Sequence, residues 1–353
     1  MKKTAYITRY GAYGDHLHCS YLPRALKERC GYEKVVFESN SKGLPIYANN
    51  PHIDELVHFE PYIRVSTKGA CMQMPMETIL KRWRIKAEQM DADHINLQFS
   101  IENGYIAMED MAEYYLSSEW RREHYGKLNY YDQCAAYIGR PELKGYKADL
   151  FFTDDEIKQV EEPFQKLAGK YVLIANLSGT SKHKMLMNAE WLVKTFLEQH
   201  PDAVCITMGD RDCQKHLEFK GERIYNRAGL YTFRQSMLTT KYAHSIVGCE
   251  SGLMVAATAL GCKTVQLMTA ASIKNHGGDF ANDYSLQSPV SCAPCHKGPY
   301  DYIGCPTFDY LGLKYPVCIK FDKLQVLRRL NEAYNDYSRE TKKASSAEVS
   351  SVR

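Results

Sequence analysis

No stretch of this 353-residue chain approaches the ~18 consecutive apolar residues that a membrane span requires, so no membrane-crossing helix is expected. An apolar signal segment is missing too. The start, MKKTAYITRYGAYGD, offers two lysines and then breaks into polar residues and glycine, which predicts a cytoplasmic protein with at most peripheral membrane association. Charge of one sign is not in excess: a net +3 gives no reason to expect wholesale nucleic-acid binding, although a local basic cleft is compatible with it. Twelve cysteines at that expected location argue against a disulfide scaffold. Eight are scattered and read as small buried hydrophobes, and the last four cluster.

What remains is ordinary globular material, 44% hydrophobic and 25% charged, long enough for two domains. The opening reads as strand (Ala5 to Thr8), glycine turn, and helical spacing from Leu17 to Arg29, followed by a strand at Lys34 to Glu38. Residues Gly43 to Phe59 predict a short helix or loop running into another strand. From about Tyr62 to Arg140 the pattern is less regular, and a mostly helical region carrying acceptor-side loops is expected. The alternation restarts with KYVLIAN, Lys170 to Asn176, then helix at Asn188 to Gln199 and strand at Ala203 to Met208. Helix Tyr231 to Thr240, strand Ser245 to Val247, helix Gly252 to Leu260 and strand Lys263 to Met268 complete it. Strand-helix alternation in two blocks predicts an α/β protein of two doubly wound parallel-sheet domains, 1–160 and 161–320. A helix at 321–339 is expected to pack back towards the first domain, and the polar segment 340–353 to be disordered.

Three segments carry chemistry. In RYGAYGDHLHCS, Arg9 to Ser20, Gly11 and Gly14 let the first strand turn into a helix whose first turn holds Asp15, where doubly wound sheets bind ligands; a plain capping role is the alternative. In SGTSKHKMLMNAEWL, Ser178 to Leu192, the hydroxyls of Ser178, Thr180 and Ser181 with Lys182 and Lys184 make a plausible anion cradle. In VGCESGLMVAATALG, Val247 to Gly261, Glu250, Ser251, Gly252 and Leu253 form the turn opening a small-residue helix, whose N-terminal N–H groups suit a phosphate. Asp210 or Asp212, following a strand, stand where an acid meets ribose hydroxyls, and His276 beside Gly277 and Gly278 is in a loop that a ligand could approach.

Together these segments resemble the lipopolysaccharide heptosyltransferases of glycosyltransferase family 9, and the chain reads as a divergent member. The Gly-Asp-x-x-His opening, the Lys184 to Trp191 spacing and the Glu-Ser-Gly turn before a small-residue helix carry the likeness, which extends from Arg9 to Cys318. The departures are Leu186 and Met187 for Trp-Pro, Glu250 for Asp and Val255 for His. The resemblance implies a GT-B architecture, two Rossmann-like domains facing across a cleft, and inverting transfer of a heptose-like sugar from a nucleotide-sugar donor without a catalytic metal. It implies Asp15 as general base with Arg9 as its electrostatic neighbour, His18 with the glycines on the acceptor side, and Lys184, or Lys182, on the donor phosphate. The donor is expected to be ADP-heptose or another nucleotide sugar, and the acceptor a hydroxyl of a glycan, a lipid-linked sugar or a nucleic acid.

The clustered Cys292, Cys295, Cys305 and Cys318 begin with the C-x2-C spacing of a zinc site, with His296 as a substitute ligand. A structural zinc, reduced thiols and disulfides all stay open. So do other roles for the same frame: a transferase acting on modified DNA or protein, a nucleotide-sugar epimerase, or a non-catalytic sugar-nucleotide binder.

Overall fold

The computed structural model describes residues 3–64, 71–102, 111–125, 127–178, 184–277, 279–297, 305 and 315–351. The chain divides into two compact units: Met1–Asn103 with Tyr130–Asp154, and Gly104–Asn129 with Asp155–Arg353.

In chain order the first unit opens with β1 (Thr4–Arg9), α1 (Tyr13–Cys19), α2 (Leu22–Cys30), β2 (Lys34–Ser39), α3 (Leu44–Tyr47) and β3 (Glu55–His58). A hairpin, β4 (Tyr62–Arg64) and β5 (Cys71–Gln73), leads to α4 (Met76–Gln89) and β6 (Ala92–Asn96). After α5 (Ser118–His124), which belongs to the second unit, α6 (Tyr130–Tyr137) completes the first. Its four-stranded sheet runs β3-β2-β1-β6, all parallel. The single helix expected over 17–29 is two, because the chain breaks at Ser20–Tyr21 and restarts with Pro23 in the first turn of α2, where a missing N–H costs nothing.

The region from 62 to 140 is less helical than expected. Strand β6, sequence ADHIN, escapes a hydrophobic reading because it lies at the sheet edge and only its first residue is buried. One buried ion cluster pins α4 to this sheet. Glu38, fully buried, accepts from Tyr6 (2.8 Å), Tyr10 (2.9 Å), Trp83 (2.9 Å) and Lys86 (2.8 Å), and Arg82 grips both its oxygens.

The second unit contains α7 (Asp154–Gln165), β7 (Tyr171–Asn176), α8 (Ala189–Gln199), β8 (Ala203–Met208), α9 (Arg211–His216) and β9 (Ile224–Asn226). It continues with α10 (Phe233–Lys241), β10 (Ser245–Cys249), α11 (Gly252–Ala259), β11 (Lys263–Met268), α12 (Ile273–His276), β12 (Leu286–Gln287) and α13 (Lys323–Ser351). The sheet order is β12-β11-β10-β7-β8-β9, again all parallel. Its four central strands are buried along their whole length, as helices on both faces demand, which is why they read as continuous apolar runs.

At the C-terminus, α13 places Val326, Leu327 and Leu330 in the core of the second unit, and Tyr334 donates to Asp202 at 2.8 Å. Its backbone is helical as far as Ser351, into the segment expected to be disordered: Lys342, Lys343, Ala344, Ala347 and Glu348 are good helix formers, which composition alone hides.

Candidate functional site

Each sheet reverses its strand order once, and some of the residues singled out in the sequence, Arg9 and Asp15 in the first unit and Ser251 and Gly252 in the second, lie at those two reversals, where open α/β sheets bind ligands beyond the carboxyl ends of their strands.

In the first unit the reversal lies between β1 and β6. Arg9, the last residue of β1, is fully buried; it donates to the Leu97 carbonyl (2.9 Å) and, through both terminal nitrogens, to Glu102 (3.2–3.3 Å). Its Nη2 is also 3.6 Å from Oδ2 of Asp15, whose side chain is 26% exposed. Burial opposes the guanidinium charge, but Glu102 and Asp15 outweigh it and push Arg9 above its ordinary value. Asp15 does not cap the helix in the N-cap position. It is the third residue of α1, and its Oδ2 accepts from the Ala12 N–H at 2.8 Å, one half of a capping box. Glu102, the second carboxylate on Arg9, is not legible in the sequence, because it is brought in by the unrecognised strand β6.

The turn itself is held from beneath. Buried His16 bonds Asn40 (2.7 Å) and Tyr47 (3.1 Å), and Asn40 donates to the Gly11 carbonyl at 3.2 Å. Burial, then Arg9, drives the His16 imidazole down to about 3, so it stays neutral. Neither His16 nor Asn40 stands out in the sequence. His18, expected on the acceptor side, is instead a core residue, 2% exposed and edge-on to Tyr130 and Tyr131 at 5.1 and 4.8 Å. Gly14 is part of α1. Gly11 is required on steric grounds, since a Cβ there would stand 2.5 Å from Asp15 Oδ2. Gly11→Ala is therefore expected to push the carboxylate off the Ala12 N–H and cost about 1 kcal/mol of stability, the usual worth of such a cap. Urea denaturation checks this; an unchanged midpoint refutes it.

In the second unit the reversal lies between β7 and β10. Gly248 allows the two strands to approach, since a Cβ on it would meet the Asn176 carbonyl oxygen at 2.8 Å. Just beyond, Asn176 Nδ2 donates to Ser251 Oγ at 3.1 Å. Ser178 bridges to Met185, and the Leu186 N–H donates to the Leu177 carbonyl (2.9 Å), which closes the base of the predicted anion loop. Leu186, standing for the expected Trp, is a buried core anchor. Thr180, Ser181 and Lys182 lie outside the described residues. The Cys249 thiol donates to the Met185 carbonyl at 3.2 Å, which ties the loop carrying Lys184 to the end of β10.

Glu250 is 3% exposed and accepts from the N–H and hydroxyl of Thr269, both at 3.3 Å, so it joins the turns after β10 and β11. Lys184 and Glu250 both act on His276, at the end of α12; burial first, then Lys184, carries its imidazole down to about 4 despite the opposing pull of Glu250. Ser251 and Gly252 open α11 as predicted, whereas Leu253 turns into the core at 7% exposure. Val255, in place of the expected histidine, is buried there as well. Asp210 caps α9, its Oδ1 accepting from the Asp212 and Cys213 N–H groups at 3.0 Å. A groove of about 480 Å³ at the opposite end of this sheet, lined by Lys170, Tyr171 and His244, contains none of the predicted residues.

The clustered cysteines lie within electrostatic reach of one another. Cys318 interacts electrostatically with Cys295, Cys305, Glu250 and Cys292, and burial lifts its thiol and pushes that of Cys295 up to about 11. Among the described residues no group of three or more Cys, His, Asp or Glu side chains is disposed to hold an ion. None of Cys292, Cys295, Cys305 and Cys318 is in a disulfide, and all four are half-buried.

No protein-family profile and no curated protein matches the chain. Solved structures do. A glycosyltransferase family 9 protein from Veillonella parvula superposes with a TM-score of 0.67 at 12% identity, covering 95% of this chain and 98% of its own. ADP-heptose lipopolysaccharide heptosyltransferase II from E. coli gives 0.60 at 14%, covering 96% and 100%. The dodecameric iron-containing heptosyltransferase TibC from enterotoxigenic E. coli, solved with ADP-D-β-D-heptose, gives 0.58 at 13%, covering 95% and 76%. Over nearly its whole length, the chain shares the fold of the glycosyltransferase family 9 and heptosyltransferase structures.

Proposed function

We propose that this protein is a glycosyltransferase, a divergent relative of the family 9 enzymes, that moves a heptose-like sugar from a nucleotide-sugar donor to a hydroxyl acceptor with inversion. The observation that carries this reading is the built turn at the strand reversal of the second sheet, where Asn176 donates to Ser251 at the N-terminus of α11 and the Cys249 thiol ties down the Ser178–Met185 bridge beside Lys184, with Lys184 and Glu250 both in electrostatic reach of His276. Helix-end N–H groups and a lysine suit a diphosphate, and they stabilise the charge that develops on a departing nucleotide. A neutral His276 can donate to a phosphate oxygen from one ring nitrogen. Glu250, tied to Thr269, acts as the brace of this turn rather than as a free ligand.

Asp15 is the group that takes the proton from the attacking hydroxyl. One of its oxygens is fixed by the Ala12 N–H, and the side chain keeps 26% of its surface exposed. No step requires a metal or organic cofactor. The acceptor is a glycan, lipid-linked or nucleic-acid hydroxyl. No described helix is long and apolar enough to cross a membrane, and the reaction is assigned to the cytoplasm, where nucleotide sugars are drawn on.

Thermal shift of the purified protein against ADP-, UDP-, GDP-, CMP- and dTDP-linked sugars tests the donor site, because a ligand of the native state raises stability with the logarithm of its concentration over Kd. A shift with one nucleotide series is expected; a folded protein that responds to none sinks the reading. Lys184→Met should then weaken that nucleotide about tenfold, the loss of one charge-assisted bond to phosphate, as read by calorimetry.

A further inference from the structure

Residues 111–125 and 127–129 are encoded between two parts of the first unit but belong to the second. Their contacts there are specific. Arg121, 3% exposed, donates to four carbonyls: Cys295 on one side, and Glu113, Tyr114 and Leu116 on the other. Arg122 donates to the Ser291 carbonyl at 3.0 Å, Tyr125 meets His296 edge-on at 6.0 Å, and Lys297 stands 4.1 Å above the Tyr114 ring. Further along, buried Asn275 donates to the Leu128 carbonyl and Asn129 to Asp279, both at 3.0 Å.

The contacts with the rest of the unit fall on two stretches, Asn275 with Asp279 at and after α12, and residues 291–297 after β12. The first carries His276. In the second, the His296 N–H donates to the Ala270 carbonyl at 2.7 Å, one residue past the Thr269 that Glu250 holds. A continuous path therefore runs from Arg121 through Cys295, His296, Ala270 and Thr269 to Glu250.

We propose that residues 111–125 and 127–129 form a strap of the donor half, in which Arg121 is a positioning residue that presses the cysteine loop against the Glu250 turn and fixes the width of the nucleoside-diphosphate site. This rests on the reading of that turn as the donor site. It reassigns a segment expected to serve the acceptor. A planar guanidinium is well matched to such a role, because its five fixed donors can hold several carbonyls in one geometry, which an ammonium cannot reproduce.

The test is Arg121→Met in the full-length chain, read by hydrogen exchange and by calorimetric titration with ADP as the probe. Exchange across residues 291–297 is expected to rise about tenfold with 171–176 unchanged, and ADP to bind about tenfold more weakly. Unchanged exchange at 291–297 overturns the strap. Raised exchange with unchanged ADP affinity overturns its part in the site. If exchange also rises in 171–176, the core has been lost, and Asn129→Ala carries the same two comparisons, read at 273–277 with about threefold effects. A wild-type protein that binds no nucleotide refutes the donor reading, while the exchange comparison still decides whether the strap holds the loop.

Discussion

Asp15→Asn should lower sugar transfer by about 10²–10⁴-fold, the usual worth of a positioned general base, and leave nucleotide affinity unchanged. Geometry makes this substitution clean. An asparagine oxygen can still accept from the Ala12 N–H, so the entry into α1 survives. The buried Arg9 keeps its bonds to Glu102 and Leu97, so no uncompensated charge is created in the core. What is lost is the capacity to take a proton. Transfer is measured with whichever nucleotide sugar the thermal-shift screen identifies, against hydroxyl acceptors. Turnover within threefold of wild type would remove Asp15 from the mechanism and return it to its capping role. Weakened nucleotide binding would point to a structural effect instead.

The largest effect on stability is expected at Glu38. Burial works against its charge, yet the bonds from Arg82, Lys86 and Tyr6 win and bring the carboxyl down to about 2. Against an ordinary value near 4.3, that depression is worth about 3 kcal/mol, full at neutral pH. It agrees with the about 3–5 kcal/mol typical of breaking a buried ion pair, taken at the low end because Arg82 and Lys86 are 33% and 25% exposed and can return to water. The sign follows from the depressed value. The contribution is complete above the unfolded-state pKa and fades as pH falls towards 2. Glu38→Gln should therefore be less stable than wild type by about 3 kcal/mol at pH 7, with the gap closing below pH 4. Urea denaturation across that range decides it; a constant gap would mean that shape rather than charge is what Glu38 supplies.

The sequence exposes whatever depends on runs and punctuation. Strands 171–176, 203–208 and 263–268 announce themselves as apolar stretches because a parallel sheet covered on both faces leaves no polar side. The glycine turns before Asp15 and at Glu250 are legible because each opens a helix. Contacts made at long range are not. Nothing local in ADHIN marks it as the neighbour of β1, so Glu102 cannot be connected with Arg9. Nor does any spacing reveal that His18 is wedged between two tyrosines, that Leu253 faces inward, or that Asp210 is spent on a cap. The destination of residues 111–125 and 127–129 is hidden for the same reason: chain order assigns them to the first domain, and contacts with residues far along the chain, the Cys295 and Ser291 carbonyls among them, hold them in the second.

That placement makes the polypeptide pass between the two units three times, after residues 103, 129 and 154. The two halves are therefore not interchangeable cassettes. A chimera joined at residue 154 would import a foreign second unit while retaining the native Arg121, whose main-chain acceptor at position 295 would then belong to a loop of foreign sequence. Exchange of the second unit between relatives of this chain calls for a double graft, in which 104–129 travels with 155–353 and the interrupted first unit is resealed around it.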